Sequence, residues 1–378
     1  MSGIYIHIPF CKQACYYCDF HFSTNLKKKD ALINALVKEL QLRKNEFNGK
    51  EVKTIYFGGG TPSLLSNAEI NKVIASITTN YKVASNPEIT LEANPDDLTE
   101  ERIIQLSKSL VNRLSIGVQS FFNHDLKLMN RAHNASEAEK CIAFATTYFD
   151  NISIDLIYGI PGATNEQWNL NIEKALEFNI PHISSYALTV EPKTALASFI
   201  EKGIISDVDD EQAERQFQIL VSKLNAAGFV NYETSNFGKP GYFSINNTAY
   251  WQGKTYMGIG PSAHSFDGTR RGWNVRNNSK YIQSIEQNEL SITYEKLSKI
   301  DRYNEYVMTG LRTIWGVSLN RITKEFGPRY FTYITQHSKK FIEQGLLELT
   351  DNVLLTTPKG KFLADGIAAE LFMLNLKA

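Results

Sequence analysis

The chain has 378 residues, 43% of them apolar, and its 40 basic side chains balance 40 acidic ones. That supports one large domain with one or two small ones and argues against both disorder and a general nucleic-acid binder. The first apolar stretch, Ile4 to Phe10, is broken by His7 and Pro9 and is too short for a signal peptide or a membrane span, and four cysteines without a secretory signal predict a reducing cytoplasm.

Ile4-Tyr5-Ile6-His7-Ile8 alternates and predicts a strand. Three of the four cysteines, Cys11, Cys15 and Cys18, follow within eight positions. Each can supply a thiolate, and such clustering asks for a metal. A structural zinc site closes with four protein ligands, and a four-iron cluster also has four corners. Three thiols therefore leave a choice. Either His7 or His21 completes a zinc tetrahedron, or one corner stays open for a reactive guest. Paired C-x-x-C knuckles and an H-x-x-x-H are missing, which counts against zinc, and three clustered thiols cannot all pair as disulfides. Cys141 reads as a small core residue of a helix.

Strands and helices alternate beyond the cysteines. A helical face over 30–48 carries Leu32, Ile33, Leu36, Val37 and Leu40. A second strand over 54–57 ends at Gly58-Gly59-Gly60-Thr61-Pro62, and Ser66 with Glu69 forms a capping box for the next helix. Further strands are predicted over 88–94, 113–119, 151–158 and 182–189. Helices over 97–110 and 136–148 separate them, with a third that opens on a Thr164/Gln167 capping box and runs to about 178. A long helix over 209–227 stops at Gly228.

Six such units predict an α/β fold with a mainly parallel sheet, a partial (β/α)6 barrel whose chemistry gathers at the C-terminal ends of the strands. The cysteines, the glycine trio, Glu92, Gln119, Asp155 and Ala187 all fall on or near that edge. After about residue 290 the pattern changes. Helices over 303–314 and 319–326, a segment over 339–343, a strand pair across Asp351-Asn352 and a final helix near 359–374 predict a small α+β winged-helix-like module. It lacks a basic recognition helix and does not read as a DNA binder. The expected division is 1–290 and 291–378.

Gly58-Gly59-Gly60 removes side chains where a strand meets a helix, so backbone N–H groups there can cradle an anion. No Gly-Lys-Ser/Thr follows, which excludes a P-loop. Glu92, Gln119, Arg131 and Asp155 are polar or charged residues in or beside apolar strands. Burying a charge is costly unless it is paired. A ligand with an ammonium, a carboxylate and a ribose supplies such partners.

The C-x-x-x-C-x-x-C run resembles the radical S-adenosylmethionine (SAM) superfamily. Tyr5 to Cys11, the Gly-Gly-Gly-Thr-Pro, Leu91-Glu92-Ala93-Asn94-Pro95, Gly117-Val118-Gln119-Ser120, Asp155 to Gly159 and Gly258-Ile259-Gly260 narrow the resemblance. Together they resemble the oxygen-independent coproporphyrinogen III oxidase family and its HemW-type heme chaperone branch, over nearly the whole chain. The resemblance implies a [4Fe–4S] cluster on Cys11, Cys15 and Cys18 with SAM at its open corner. It implies SAM contacts from Tyr5, Tyr17, Gly59, Gly60, Thr61, Glu92, Gln119, Arg131, Asp155, Ala187 and His264. The C-terminal module is then of the HemN type. An electron-donor protein, heme or a porphyrinogen, and heme-acceptor proteins are the implied partners. The oxidase typically has a fourth cysteine two positions after the third, where this chain has Phe20, and an extension before its cluster, where only ten residues precede Cys11. Both departures favour the chaperone over oxidative decarboxylation of coproporphyrinogen III; a zinc-stabilised binding protein is the third alternative. The chaperone's His-Asn-x-x-Tyr-Trp, proposed to bind heme, reads Asn246-Asn247-Thr248-Ala249-Tyr250-Trp251 here, and asparagine is not a usual axial ligand. His264, His182 and His133 are the candidate substitutes, the last two reading better as ordinary hydrogen-bonded histidines.

Overall fold

A computed structural model describes residues 2–374. Six parallel strands form its centre: β1 (Ser2–Ile8), β2 (Val52–Gly59), β3 (Val83–Ala93), β4 (Arg113–Gln119), β5 (Ile152–Tyr158) and β6 (His182–Ala187). The helices between them are α1 (Lys29–Leu42), α2 (Asn67–Asn80), α3 (Glu100–Ser107), α4 (Asn123–Leu128), α5 (Ala135–Ala145) and α6 (Asn165–Glu177). The expected alternation is thus present, with the short α4 added between β4 and α5.

Side chains alternate across each strand. Ile4, Ile6 and Ile8 are fully buried with Leu32, Leu36 and Leu40 of α1 in the main core. Each such burial is worth about 1.5–3 kcal/mol. Gly3, Tyr5 and His7 point the other way, into the lumen. Tyr5 stacks on Tyr56 at 6.0 Å, and a Cβ on Gly3 would meet Thr54 at 2.6 Å. The capping boxes at Ser66/Glu69 and Thr164/Gln167 both form. Such an N-cap contributes about 1 kcal/mol.

Two departures have local causes. The first helix ends at Leu42 because Arg43 turns inward, to Glu39 Oε1 (2.9 Å) and the Gly258 carbonyl (2.7 Å). Strand β3 starts at Val83, ahead of the expected 88, and holds Pro87 where its register against β2 shifts between Val52 and Thr54. A proline in a strand is tolerated at such an irregularity.

The parallel sheet is extended on both flanks, which the sequence reading did not anticipate. After β6 come α7 (Ala195–Glu201), α8 (Asp210–Ala226) and the antiparallel strands β7 (Val230–Glu233) and β8 (Asn236–Gly238). Helix α9 (Ile245–Trp251) leads to β9 (Thr255–Ile259), which pairs parallel with β1 as a seventh parallel strand. Strands β10 (His264–Phe266), β11 (Arg270–Asn274) and β12 (Ile292–Lys296) continue antiparallel beyond it, with α10 (Asn278–Glu286) between the last two. The result is one twelve-stranded sheet.

A buried knot ties this extension to α1. Glu39 accepts from Arg43, the Asn274 amide (2.9 Å), the Tyr281 hydroxyl (2.6 Å) and the Gly260 N–H (2.9 Å). Helix α9 is seated by Glu88, which accepts the N–H groups of Ile245 and Asn246, both at 2.9 Å.

A second hydrophobic core gathers Tyr303, Val307, Ile322, Phe326, Ile334, Leu354 and neighbours. It lies among α11 (Lys299–Leu311), β13 (Val317–Ser318), α12 (Leu319–Arg321), α13 (Pro328–Glu343), the hairpin β14 (Leu347–Thr350) with β15 (Val353–Thr356), and α14 (Ala364–Glu370). The hairpin turns at Asp351-Asn352 as expected, both with positive φ. Residues 339–343 are the end of α13, and 319–326 is a short α turn running into a π-helical one. Strand β12 pairs with β11, so residues 292–296 lie on the large sheet, past the expected boundary at 290. Residues 375–378 of the expected module fall outside the described ones. No helix among the described residues is long and apolar enough to cross a membrane.

Candidate functional site

The segment between β1 and α1 carries the three cysteines, and several neighbours hold it. The Ser23 N–H donates to Pro9 O (2.8 Å), and Cys11 N–H to Ser23 O (3.1 Å). Thr61 N–H reaches Phe10 O (2.6 Å), and Tyr16 N–H reaches Met129 O (3.2 Å). Asn130 clamps the loop, donating to Ala14 O (2.8 Å) and accepting from the Gln13 amide (2.8 Å). Lys12 pairs with Asp96 (3.1 Å) and Asp97.

Two of the three glycines are demanded by this packing. A Cβ on Gly60 would sit 2.6 Å from Phe10 O and 2.8 Å from Ile8 O. Gly59 has φ +107°, and a Cβ there would lie 2.4 Å from the His7 ring. Both tolerate the approach only because they lack a side chain.

These elements enclose a cavity of about 150 Å³ at the C-terminal end of the strands. Cys11, Cys15, Tyr17, Cys18, Gly59, Gly60, Thr61, Glu92, Gln119, Arg131 and Asp155 line it. Tyr5 and His264 do not; they line a second compartment of about 440 Å³ that shares Phe20, Gly59 and Glu92 with the first. Ala187 ends β6, paired with Tyr158, and lines neither. The cavity also takes Phe20, Phe22, Asn94, Ser115 and Gly117, which sequence reasoning missed. Asn94 and Gly117 lay inside motifs already singled out; the two phenylalanines carried no signal beyond nearness to the cysteines.

Arg131 organises one wall. Its Nη2 donates to Asn94 Oδ1 (2.7 Å) and Gly117 O (2.8 Å), and Nη1 reaches Cys15 Sγ (3.3 Å). Among the described residues its buried Nε has no partner. Glu92 accepts from the Tyr56 hydroxyl (2.8 Å) and the Gly59 N–H (3.0 Å). Burial, with the nearby Asp155 carboxylate, pushes Glu92 up to about 7 despite those bonds. Burial likewise raises Asp155 to about 6 against the pull of Arg113 and the Ser184 hydroxyl. Gln119 holds a left-handed φ of 69°, uncommon for a non-glycine residue and often found at functional sites. Burial pushes the Cys11 thiol up to about 11, against the Thr61 hydroxyl, and raises Cys18 as well.

Among the described residues no three His, Cys, Asp or Glu side chains are gathered closely enough to hold one metal ion. A tetrahedral zinc with sulfur at about 2.3 Å requires that closeness. Thiolates on three corners of an iron–sulfur cube stand farther apart, and the three cysteines here line one cavity. The predicted zinc partners are also engaged. His7 accepts from Tyr5 Oη at Nδ1 (3.2 Å) and donates from Nε2 to His21 O (3.0 Å), and His21 Nε2 donates to Asn278 Oδ1 (2.7 Å). The donor set thus fits a cluster: three thiols, a guanidinium with an unpaired N–H, and glycines that keep the approach open.

His182 bonds Ser153 Oγ (2.7 Å) and Tyr232 Oη (2.8 Å), an ordinary hydrogen-bonded histidine, whereas His133 bonds Val118 O (3.0 Å) through Nε2 and its buried Nδ1 has no partner among the described residues. Asn246 is buried, accepts from Thr54 Oγ1 (3.0 Å), and sits beside Gly3 toward the N-terminal ends of β1 and β2, away from the cysteines.

Comparison with known proteins agrees with this geometry. Residues 5–175 match the radical SAM superfamily profile, and residues 297–363 match the HemN C-terminal domain profile. The heme chaperone HemW of Bacillus subtilis is 34% identical over 372 residues, 97% of this chain and 98% of that protein. HemW of Mycobacterium tuberculosis H37Rv is 31% identical over 98% of this chain and 94% of its own length. In structure the chain is similar to the coproporphyrinogen III oxidase HemN of Escherichia coli, with a TM-score of 0.85 at 23% identity, over 98% of this chain and 90% of that one. That likeness speaks for the fold. The superfamily implies a [4Fe–4S] cluster and SAM as cofactors. With full-length relatives above 30% identity, the chain belongs to the HemW heme chaperone family of the radical SAM superfamily.

Proposed function

We propose that this chain is a heme chaperone, binding heme beside a cluster-and-SAM site and handing it to acceptor proteins. One observation carries the reading: eleven side chains or glycines named from the sequence line one cavity at the strand ends, in a chain similar to HemW proteins over almost its whole length. Cys11, Cys15 and Cys18 would hold the cluster. When bound, cluster and SAM supply one-electron chemistry that no side chain offers.

The remaining residues prepare the site. Arg131 places a cation on Cys15 and is itself held by Asn94 and Gly117. Glu92 is oriented by Tyr56 and Gly59, leaving the other side of its carboxylate toward the cavity. Glu92 and Asp155 suit the ammonium and ribose hydroxyls of SAM, because each carboxylate is buried and gains from a hydrogen-bonding or cationic guest. Gly59, Gly60, Thr61, Gln119 and Tyr17 complete the walls. The twelve-stranded sheet, to residue 296, would form the cofactor domain, and the module with its own core would help dock a partner. An electron-donor protein, heme acceptors and a cytoplasmic setting belong to the same proposal.

The oxidase alternative gains nothing from the site, since the position of its additional cysteine is Phe20. The test is anaerobic iron and sulfide analysis followed by heme titration, with and without the cluster, reading the Soret band. A cluster-loaded protein with a saturable shift supports the chaperone. Robust consumption of coproporphyrinogen with reductant and SAM would overturn it in favour of the oxidase.

A further inference from the structure

The largest fully buried side chains include two arginines, and only one has its counter-charge beside it. Arg43 is held by Glu39 and Glu46. Arg113, 1% exposed at the start of β4, has no carboxylate within ion-pair distance among the described residues. Its Nε is buried with no partner among those residues, and Nη2 makes one long contact, 3.5 Å to His182 Nδ1. That imidazole also bonds Ser153 and Tyr232, and burial together with Arg113 holds its pKa well below the ordinary value. It is neutral and balances no charge. An isolated buried cation is costly, so something nearby must offset it.

The strand register shows what lies above it. Residues two apart on a strand share a face and are spaced by roughly 7 Å. Arg113 pairs with Thr90 of β3, and two residues on, Ser115 pairs with Glu92. Ser115, Gly117 and Gln119 line the cysteine cavity, so Arg113 belongs to the layer beneath its floor. His182, which the guanidinium touches, pairs with Ser153, and Asp155 is the next residue of β5 on that face. Glu92 and Asp155 therefore stand one layer above Arg113. Two other carboxylates of the lumen are already held by donors. Glu88 accepts the N–H groups of Ile245 and Asn246, and Glu233 accepts the Ser235 N–H (3.1 Å) and the Asn236 amide. Tyr5, Tyr56, Tyr186 and Tyr250 also face the pair, and burial pushes all four up, so they stay neutral. Arg131, the remaining cation, is committed to Cys15, Asn94 and Gly117. Burial raises both carboxyls. Arg113 is the foremost opposing influence on Asp155, ahead of Ser184 and Arg131, and it also pulls Glu92 down.

We infer that Arg113 is a positioning residue of the cofactor site: from one layer below, its guanidinium is the internal counter-charge that keeps Glu92 and Asp155 ionised for a cationic guest. The inference rests on the reading of those two carboxylates as SAM contacts, and it adds a residue that touches no ligand. Arginine suits the task because it keeps its charge when buried, where lysine readily gives it up. Such a residue sets the pH at which the site becomes ready and leaves the shape of the site to others.

The test is SAM binding to the full chain, reconstituted anaerobically, by equilibrium dialysis from about pH 5.5 to about pH 9. Across one layer, at an effective dielectric constant of about 20, a unit charge moves a carboxyl by about 1–2 pH units. Wild-type affinity should rise with pH to a plateau. Arg113→Met should displace that rise upward by at least about one unit, which is roughly tenfold weaker binding at about pH 6.5, recovered toward about pH 9. A merely structural role would weaken binding alike at every pH. Arg113→Gln is the second uncharged variant, and iron and sulfide content reports that each has folded. An undisplaced curve in a folded variant overturns the role of Arg113 while leaving the cofactor reading standing. If neither uncharged variant retains iron and sulfide, Arg113 is structural and the inference fails as well. A wild-type protein that takes up no SAM overturns the cofactor reading itself.

Discussion

Replacing Glu39 by alanine tests whether the strand extension is held by the buried knot beneath it. Glu39 and Arg43 are almost wholly shielded from water, and four donors converge on the one carboxylate. Removing it leaves a buried guanidinium short of its counter-charge and strands the Gly260 N–H and the Tyr281 hydroxyl, while the Asn274 amide keeps only its bond to Gly260 O (2.7 Å). Breaking a buried pair from one side costs about 3–5 kcal/mol. The orphaned donors belong to the same network, so their penalties overlap rather than add. Glu46, 37% exposed, still accepts from Arg43 and keeps the loss toward the lower figure. At about 2–4 °C per kcal/mol, the melting temperature should fall by on the order of 10 °C. Urea unfolding of the metal-free protein at neutral pH is the assay. Changing Glu39 and Arg43 together to methionine should recover only part of the loss, because the Gly260 N–H and the Tyr281 hydroxyl still lack an acceptor. A Glu39→Ala protein within 1 kcal/mol of wild type would refute the reasoning (that magnitude is the scale of an exposed pair).

Gly60→Ala should drive the cysteine segment off β2, since its new methyl meets backbone atoms that cannot rotate away; a cost of about 1–3 kcal/mol and a clear drop in bound iron and sulfide are expected, and normal cluster content would contradict this. Glu92 at about 7 and Asp155 at about 6 bind protons in the folded state that the unfolded chain has released. Their contribution is complete below pH 4 and declines as pH rises through 6 to 7. His7 and His133, both lowered to about 4, act in the opposite sense, so the informative quantity is the difference between proteins. Metal-free Glu92→Gln should lose less stability than wild type between pH 5 and 7.5; parallel curves would count against a raised Glu92. Asn246→His should leave heme affinity unchanged and cost about 1–3 kcal/mol, because a larger ring enters a packed space beside Thr54 and Gly3; a tighter Soret titration would return the heme ligand to that position.

What the sequence made legible follows from where the information sits. The βα units could be read because each strand is a short local run whose residues are mostly buried and two helices announce themselves with capping boxes. The cysteine cavity could be read because thiols and a glycine trio are rare enough to stand out. The flanking strands could not. β10 has three residues, and its place depends on Gly258, Ser265 and the Glu39 knot, whose members are scattered from 39 to 281. The second compartment draws its walls from Tyr5, Phe20, Tyr250, His264 and Arg276, a set no short window contains. His264, a SAM contact by the resemblance, lines that compartment with Tyr5, Gly59 and Glu92.

The anchoring of the cysteine segment bears on the life history of the molecule. Its bonds to Met129, Asn130, Asp96 and Ser23 are all made by protein groups, so the mould stands whether or not metal has arrived. Iron can then be delivered to a finished chain by whatever assembles clusters in the cell. Oxygen that strips the metal away would leave a scaffold ready to be refilled, and recovery after such damage would require repair of the cofactor rather than synthesis of a new protein.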